Sequence, residues 1–318
     1  MTRVLVTGAG GFIGSHLVTF LKERGYWVRG VDIKEPEYQP TDADEFLLLD
    51  LRRWDNCLEA LHGGVEEVYA LAADMGGMGF ISKYHATILR NNALINLHTL
   101  DAARVNGVSR YLYTSSACVY PEYRQTETNV TPLKEEDAYP AQPQDAYGWE
   151  KLVTEKLCEY YIDEFGLETR TVRFHNIYGP NGTYDGGREK APAAMCRKVA
   201  LANDGESIEV WGDGEQTRSF CYIDDCVEGI YRLMRSDHRD PLNLGSEEMV
   251  SINELAQMVI DISGKQNIGI EHVEGPQGVR GRNSDNSRLR EVLGWEPATS
   301  LRTGLEPTYR WIEKHIAS

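Results

Sequence analysis

The segment Arg3–Gly14 reads RVLVTGAGGFIG and decides the fold of this chain. Its first five residues form an apolar run typical of a buried strand, and a helical pattern of Ile13, Leu17 and Leu21 follows the glycines. Glycines in such a turn let the backbone approach a pyrophosphate, which then lies at the N-terminus of the helix. The residues expected to line this part of a dinucleotide site are Gly8, Gly11, Phe12, Ile13 and Gly14.

The next apolar run, Trp27–Val31, ends at Asp32. A carboxylate at this distance accepts a hydrogen bond from a ribose 2′-hydroxyl and repels a 2′-phosphate, so NAD is favoured over NADP; a surface Asp after an ordinary turn is the alternative. The glycines of 75–80 are expected to expose amides beside the nicotinamide, with a mobile loop as the alternative. The remaining expected cofactor contacts are Asp50, whose alternative is a solvated strand end, Leu51, Ala72, Tyr147 and Lys151.

Apolar runs and helical patterns alternate from Arg3 to Phe174. They include a long helical run over 85–105, predicted to be largely buried, and a helix over 147–165. This alternation predicts an α/β fold with a doubly wound parallel sheet of the Rossmann type, and the loops rich in glycine and proline that follow mark a lobe boundary. The expected units are an NAD-binding domain over 1–175, to which about 218–245 returns, and a smaller C-terminal α/β substrate lobe over 176–217 and 246–318.

Ser116 and Cys118 follow the apolar run Arg110–Thr114, and Tyr147 and Lys151 are four positions apart in a helical pattern. Ligands bind at the carboxyl edge of an open parallel sheet, and residues four apart share one face of a helix. An ammonium beside a phenol favours the phenolate, which predicts a lowered tyrosine pKa. We therefore expect Tyr147, helped by Ser116 and Lys151, to remove an alcohol proton while hydride leaves the same carbon.

A cysteine and a group of cations are the other candidate functional residues. Cys118 is expected to face the same pocket as Ser116, although most buried cysteines are inert packing. The chain has a net charge of -16, yet cations are concentrated in its second half, namely Arg188, Lys190, Arg197, Lys198, Arg218, Arg280 and Arg282. Because arginine makes bidentate phosphate contacts, they predict a nucleoside diphosphate site, with some of the cations paired to carboxylates instead.

Composition excludes several classes of function. The acidic charge argues against non-specific binding to nucleic acid or anionic membranes, which relies on basic patches. No apolar run approaches the length of a membrane span, and the first residues do not resemble a signal peptide. The six cysteines have neither CxxC pairing nor metal-site spacing, so we expect a reduced, cytoplasmic protein without a metal.

These residues together carry a family resemblance. The motif TGxxGxxG over 7–14, Asp32, Ser116 and the Tyr147-x-x-x-Lys151 pair resemble the extended short-chain dehydrogenase/reductase superfamily, whose members act on nucleotide sugars. More narrowly, the chain is similar to the GDP-mannose 3,5-epimerase family in five stretches, 73–80, 115–121, 186–194, 211–220 and 278–286. The superfamily motifs serve many activities, whereas Cys118 and the Arg-Glu-Lys loop are specific to this family.

The resemblance implies that GDP-D-mannose is inverted at carbons 3 and 5 through a 4-keto sugar, giving GDP-L-galactose, or GDP-L-gulose when only carbon 5 is inverted. It implies Cys118 as base, Lys190 as acid, NAD as cofactor and a homodimer as assembly. The implied substrate contacts are Gly76, Ser116, Ala117, Cys118, Asn176, Glu189, Lys190, Lys198, Gln216, Thr217, Arg218 and Arg282.

Two other functions stay open at this point. A nucleotide-sugar 4-epimerase moves only hydride and needs neither Cys118 nor Lys190. A non-catalytic NAD-binding regulator is less consistent with the presence of both Tyr147 and Lys151. A 4,6-dehydratase is disfavoured, because its adjacent Asp-Glu pair is replaced by Ala117-Cys118.

Overall fold

The computed structural model describes residues 1–317, and Ser318, the last residue of the predicted substrate lobe, lies outside the described residues. In chain order the strands are β1 (Arg3–Thr7), β2 (Trp27–Asp32), β3 (Glu45–Leu48), β4 (Glu67–Ala70), β5 (Arg110–Ser116), β6 (Glu168–Phe174), β7 (Ile177–Tyr178), β8 (Ser207–Trp211), β9 (Thr217–Ser219), β10 (Cys221–Tyr222), β11 (Leu242–Leu244), β12 (Met249–Ser251), β13 (Gly269–Val273) and β14 (Gly281–Arg282). The helices are α1 (Phe12–Glu23), α2 (Trp54–Leu61), α3 (Met78–Ile81), α4 (His85–Val105), α5 (Ala146–Phe165), α6 (Ala191–Leu201), α7 (Ile223–Arg235), α8 (Ile252–Ser263), α9 (Ser287–Leu293) and α10 (Leu301–Ile316).

Seven strands form one parallel sheet in the order β11-β6-β5-β4-β1-β2-β3. The order reverses between β1 and β4, and ligands bind at such a switch point, outside the carboxyl ends of the strands. Helices α1 and α7 pack in the core on one face of the sheet, whereas α2, α4 and α5 contribute to the core on the other face. The predicted doubly wound α/β fold is therefore confirmed.

A second hydrophobic core lies in the part of the chain that follows the sheet. Helices α6, α8 and α10 pack around buried residues of β8, including Ile208 and Val210. Helix α8 begins with a capping box, in which Ser251 Oγ accepts from the Glu254 amide and the Glu254 carboxylate accepts from the Ser251 amide. The domain boundaries expected from the sequence stay a prediction.

The buried face of helix α4 carries polar side chains. Asn92 and Asn96 are buried and bind Glu150 on α5, whereas Leu89 and Leu97 are 43% and 47% exposed. The expectation of a largely buried helix is therefore wrong for its leucine face. The buried asparagines satisfy the polar groups of a neighbouring helix, and that requirement outweighs the apolar periodicity.

A buried ion pair ties helix α5 to the sheet. Glu155 on α5 accepts hydrogen bonds from Arg173 on β6, at 2.9 Å from Nε and 2.7 Å from Nη2, and from Ser115 on β5 at 2.5 Å. The side chains of Arg173 and Glu155 are only 2% and 3% exposed. Arg173 also donates to the Tyr120 hydroxyl and to the carbonyl of Glu135. The Glu155 carboxylate thus joins α5, β5 and β6 next to the end of β5.

Two general properties bear on the surroundings of the protein. Within residues 1–317, every helix is too short or too polar to cross a lipid bilayer. All six cysteines are unpaired thiols, and five of them are buried.

We expect Glu155→Gln to lower the free energy of unfolding by about 3–5 kcal/mol, because Arg173 keeps its charge in a buried site without a counter-ion. The control is Glu159→Gln on the same helix, which breaks the half-exposed pair with Lys156 and should cost less than about 1 kcal/mol. Urea denaturation of both variants measures the difference. Equal losses in the two variants would show that the buried pair does not hold α5 on the sheet.

Candidate active site

The turn between β1 and α1 accepts only glycine at several positions. Gly8 has a φ of +70°, and a Cβ atom there would lie 2.8 Å from the amide nitrogen of Ala72. Added Cβ atoms would lie 2.1 Å from the Lys34 carbonyl oxygen at Gly10 and 2.1 Å from the Gly8 carbonyl oxygen at Gly14. Helix α1 begins at Phe12 without a side-chain cap or an acidic residue in its first turn. This cradle fits the pyrophosphate of a dinucleotide.

Asp32 lies beside this turn at the end of β2. Its carboxylate accepts backbone N–H bonds from Gly10 at 3.0 Å, Ile33 at 2.6 Å and Lys34 at 3.3 Å. Burial raises the pKa of Asp32, and the three N–H groups oppose that shift. The carboxylate therefore closes the turn against β2. Its contact with a ribose hydroxyl stays a prediction.

The other expected cofactor residues have structural partners of their own. The Arg52 guanidinium binds the Asp50 carboxylate, with 2.7 Å between Nη2 and Oδ2, and lowers the pKa of Asp50. Leu51 is buried, and the amide of Ala72 donates to Thr7 Oγ1 at 3.0 Å. Asp50 can therefore meet a ligand only as a member of an ion pair. The cofactor contacts of these three residues stay predictions.

The glycine loop before α3 contacts the loop that leads to Lys190. The Gly77 amide donates to the carbonyl of Arg188 at 3.0 Å, and a Cβ atom on Gly77 would lie 2.4 Å from the carbonyl oxygen of Glu189. The expectation that all the glycine amides of this loop are exposed is therefore wrong for Gly77. A Cβ atom on Gly76 would lie 3.2 Å from Arg188 Cγ, so this glycine also serves loop packing.

Strand β5 and helix α5 bring the catalytic candidates together. Ser116 ends β5 and caps the short 3-10 turn Ala117–Val119, with its Oγ accepting from the Cys118 amide at 3.1 Å. Asp145 caps α5 by accepting from the Gly148 amide at 2.8 Å. A Cβ atom on Gly148 would lie 2.2 Å from the Cys118 carbonyl oxygen. The first turn of α5 is thus in close contact with the turn Ala117–Val119, called the cysteine turn below.

The pKa values of Tyr147 and Lys151 differ from the expectation. Burial raises the pKa of Tyr147 well above its usual value and the nearby charge of Cys118 adds to this, whereas a hydrogen bond with Ser116 lowers it. Lys151 Nζ donates to the Thr114 carbonyl at 2.9 Å and lies 5.4 Å from the centre of the tyrosine ring. The expected lowering of the tyrosine pKa is therefore wrong in this structure, because burial outweighs the ammonium.

Arg282 lies against the sulfur of Cys118. Its Nη1 is 3.5 Å from Sγ, and its Nε donates to Gln125 Oε1 at 2.5 Å. Gln125 in turn donates to the carbonyls of Tyr120 and Pro121, both at 3.1 Å. A guanidinium N–H directed at sulfur stabilises negative charge there. The arginine expected to contact substrate is thus also a neighbour of the candidate base.

Lys190 immediately precedes α6 and faces the same region from the other lobe. Its ammonium makes neither a hydrogen bond nor an ion pair with any residue of 1–317. Burial lowers the pKa of Lys190, while the charge of Cys118 acts in the opposite direction. The amine of Lys190 and the thiol of Cys118 are therefore close enough for their charges to influence each other.

A second arginine lies beside Arg282 because of strand register. Strand β14 pairs in parallel with β9, which places Arg282 opposite Arg218. Burial lowers the pKa of Arg218 to about 9, and the positive charge of Arg282 contributes. Within the described residues neither arginine has an acidic partner, so the pair leaves positive charge available to a diphosphate.

The remaining cations divide into two groups. Arg188 forms an ion pair with Asp74, and Arg280 forms one with Asp213. Arg197 pairs with both Asp185 and Glu189. Lys198 instead donates to the carbonyl of Glu209 at 2.7 Å. The expectation that some of the seven cations pair with carboxylates is confirmed.

Two of the other expected substrate residues carry unsatisfied polar atoms, whereas three are bonded or buried within the protein. Gln216 Oε1 and Glu189 Oε2 are buried without a hydrogen-bond partner, which is costly unless a ligand or water supplies one. Asn176 has a φ of +48° and donates to the Ser219 carbonyl, whereas the Thr217 hydroxyl donates to the carbonyl of Thr128. The alanine of the cysteine turn, Ala117, is buried. Their substrate contacts stay predictions.

Two residues of the site were not anticipated from the sequence. Gln125 orients Arg282 but lies in a polar loop without a recognisable pattern. Gly148 permits the contact between α5 and the cysteine turn. A glycine in the first turn of a strongly helical run is a signal of close backbone approach, and that signal could have found it.

With this geometry in place, the class of the protein follows. The model of the NAD dependent epimerase/dehydratase family matches residues 4–245. The chain belongs to this family, and its cofactor is NAD. The glycine cradle and Asp32 described above fit that cofactor.

Two individual relatives are similar to nearly the whole of this chain. GDP-mannose 3,5-epimerase 1 of Oryza sativa subsp. japonica is 55% identical over 99% of this chain and 82% of its own length. GDP-mannose 3,5-epimerase of Arabidopsis thaliana is 54% identical over 99% of this chain and 83% of its own length.

Solved structures match over the whole fold. UDP-glucose 4-epimerase of Thermotoga maritima, solved with UDP-glucose, has a TM-score of 0.89 and 27% identity, covering 99% of this chain and 100% of that chain. UDP-glucuronic acid 4-epimerase of Bacillus cereus, solved with UDP-glucuronic acid and NAD, has a TM-score of 0.84 and 27% identity, with coverage of 99% and 100%.

Proposed function

We propose that this chain catalyses the NAD-dependent epimerisation of GDP-D-mannose at carbons 3 and 5, giving GDP-L-galactose and GDP-L-gulose. The rice and Arabidopsis relatives support the choice of substrate. The observation that carries the chemistry is the position of Cys118, whose Sγ lies 3.5 Å from Arg282 Nη1 and whose turn packs against the first turn of α5, the helix that carries Tyr147. The Cys118 thiol and the Lys190 amine, whose charges influence each other, can remove and return protons at a carbon beside a ketone.

The first stage makes that ketone at carbon 4. Bound NAD supplies the acceptor and later the donor of the hydride, and Gly8, residues 11–14 and Asp32 would hold it. Tyr147 takes the proton of the 4-hydroxyl in its ionised form, and because burial raises its pKa, ionisation depends on neighbouring groups that stabilise the phenolate. Ser116 assists, because its hydrogen bond lowers the tyrosine pKa, and Lys151 supplies positive charge from beneath the ring.

The second stage inverts the carbon beside the ketone. The thiolate of Cys118 removes the proton at carbon 5, and the electron pair moves to the carbonyl oxygen as an enolate. The Lys190 ammonium then delivers a proton to the opposite face, which inverts the centre. Burial lowers the pKa of Lys190 and so makes its ammonium a stronger acid. Once the Cys118 thiol has lost its proton to solvent and the Lys190 amine has regained one, the same pair serves carbon 3 after the ring shifts, since both carbons flank carbon 4.

The anionic part of the substrate needs positive charge in an acidic protein. Arg218 and Arg282 lie side by side without an acidic partner among residues 1–317, and Lys198 on α6 donates to a backbone carbonyl and keeps its charge unpaired within the same residues. We assign Arg218 and Lys198 to the diphosphate. Arg282 has its Nη1 on Cys118 Sγ, so we assign it to both the thiolate and the sugar side of the substrate.

The six unpaired cysteines support a reducing compartment, and we place the protein in the cytoplasm.

We expect wild-type enzyme to convert GDP-mannose in deuterated water into product labelled at carbons 3 and 5, as read by NMR. Cys118→Ala should lower that labelling by on the order of a hundredfold or more, the usual weight of a general base. It should still oxidise carbon 4, because Tyr147, Ser116 and Lys151 are unchanged. Stopped-flow absorbance of the reduced cofactor measures the oxidation.

The matched control is Cys57→Ala, which alters a buried cysteine on α2, outside the site. It should label the product as wild type does. Turnover of wild type without label would instead support a 4-epimerase, and cofactor binding without turnover would support a regulator. Normal labelling in Cys118→Ala would refute its role as base.

We further propose that the protein is a homodimer through one face of α4 and α5. Large apolar side chains on this face are exposed, namely Leu89, Leu97, Val105, Trp149, Val153, Tyr160 and Phe165. Exposed apolar side chains that group on adjacent helices mark protein–protein interaction sites when they form a contiguous patch. A twofold axis would cover the patch with the same patch of a second copy, and α5 also carries Tyr147.

We expect Val153→Arg to convert the dimer into monomers at micromolar concentration, because Val153 is 65% exposed on α5 and the new charge would be buried between copies. Sedimentation velocity measures the change. Leu201→Arg, on the exposed end of α6, is the control and should stay dimeric. A monomeric wild type, or a Val153→Arg variant as dimeric as wild type, would rule out this interface.

A further inference from the structure

Arg188 attaches the lysine loop to the glycine loop. Its Nη1 donates to the carbonyl of Met75 at 3.2 Å and lies 3.4 Å from Asp74 Oδ1, and its Cζ lies 3.8 Å from the centre of the Phe80 ring. Its carbonyl accepts from the Gly77 amide at 3.0 Å. Both the side chain and the backbone of one residue, two positions before Lys190, are therefore fixed to the loop that follows β4.

The segment just before Arg188 has no such support. Gly186 and Gly187 have φ values of +83° and +81°, and an added Cβ atom at either would meet nothing within 4 Å. Arg188 is thus where the chain regains contact with the body of the protein. The close contact of Gly77 with the Glu189 carbonyl follows directly, and Lys190 comes next.

Asp74, the partner of Arg188, is itself held by two asparagines of helix α4. Asp74 Oδ2 accepts from Asn91 Nδ2 at 2.9 Å, and the Asp74 amide donates to Asn92 Oδ1 at 2.6 Å. Asn92 is fully buried and donates to Glu150, the neighbour of Lys151, at 3.3 Å. Arg188 is therefore connected through Asp74 and Asn92 to the helix that carries Tyr147 and Lys151.

We propose that Arg188 is a positioning residue that holds the Lys190 ammonium on the face of the sugar opposite Cys118, and that it does not bind the diphosphate. This inference rests on the proposed epimerase function. Its guanidinium is committed to the carboxylate of Asp74, the Met75 carbonyl and Phe80, whereas the Arg218 guanidinium donates only to backbone carbonyls and has no acidic partner within residues 1–317.

The role has a chemical signature. Inversion requires Lys190 to protonate one face after Cys118 has deprotonated the other. If Lys190 is displaced, the enolate persists until the cysteine thiol, now exchanged with solvent, returns a deuteron to the original face. The sugar is then labelled at carbon 5 without inversion, and reduction of carbon 4 regenerates labelled GDP-mannose.

The test is Arg188→Ala in deuterated water, with NMR of both the recovered GDP-mannose and the inverted product. We expect inversion to fall by on the order of a hundredfold, as for a misplaced catalytic group, while label at carbon 5 of recovered GDP-mannose rises relative to wild type. The KM for GDP-mannose should stay within about twofold. Arg310→Ala, which breaks an exposed ion pair with Glu313 on α10, is the control and should match wild type.

Two further variants test the same role in case Arg188→Ala does not fold. Phe80→Leu removes the ring beneath the guanidinium and should shift the label toward recovered GDP-mannose, by less than Arg188→Ala does. Arg188→Lys keeps the charge over the ring and should fall between Arg188→Ala and wild type.

The inference is overturned if KM rises with an unchanged distribution of label, if label is lost equally from both sugars, or if nothing changes in these variants. A wild type that gives no labelled product refutes the proposed function itself. The two failures are therefore distinguishable.

Discussion

The contact between the first turn of α5 and the turn after β5 is the constraint on which the site depends. Tyr147 is on the helix and Cys118 is on the turn, and the two elements touch at Gly148, where a Cβ atom would lie 2.2 Å from the Cys118 carbonyl oxygen. Glu155 and Arg173 hold the same helix on β5 and β6 with a buried ion pair. The phenol of Tyr147 and the thiol of Cys118, the groups proposed to take the hydroxyl and carbon protons, are thus set at a fixed separation.

The second lobe completes this arrangement from outside the sheet. Lys190 comes from the loop before α6, and Arg282 and Arg218 come from two short strands whose register places them side by side. Arg282 reaches the Cys118 sulfur. Because Cys118 and Lys190 come from distant parts of the chain, the distance between them depends on contacts between loops. The contact of the glycine loop with the loop around Arg188 is one of these.

Local patterns were sufficient to predict the sheet, the glycine turn with Asp32 and the Ser116, Tyr147 and Lys151 set, since each lies at a strand end or on one helix face. They could not show that Arg282 contacts Cys118, because that contact depends on the pairing of β14 with β9, far apart in the chain. They also gave the wrong direction for the tyrosine pKa, because burial is a property of the assembled core. The engagement of Asp50 by Arg52 was likewise missed, since spacing does not reveal which neighbour a carboxylate prefers.

The central claim, that the close approach at Gly148 sets the reacting groups, is tested most directly by Gly148→Ala. Alanine normally stabilises a helix relative to glycine by about 1 kcal/mol, so a loss of function would come from the clash with the Cys118 turn. The account predicts a folded variant in which single-turnover oxidation of carbon 4 and deuterium exchange at carbon 5 both fall by on the order of a hundredfold. Rates of both steps equal to those of wild type would contradict it.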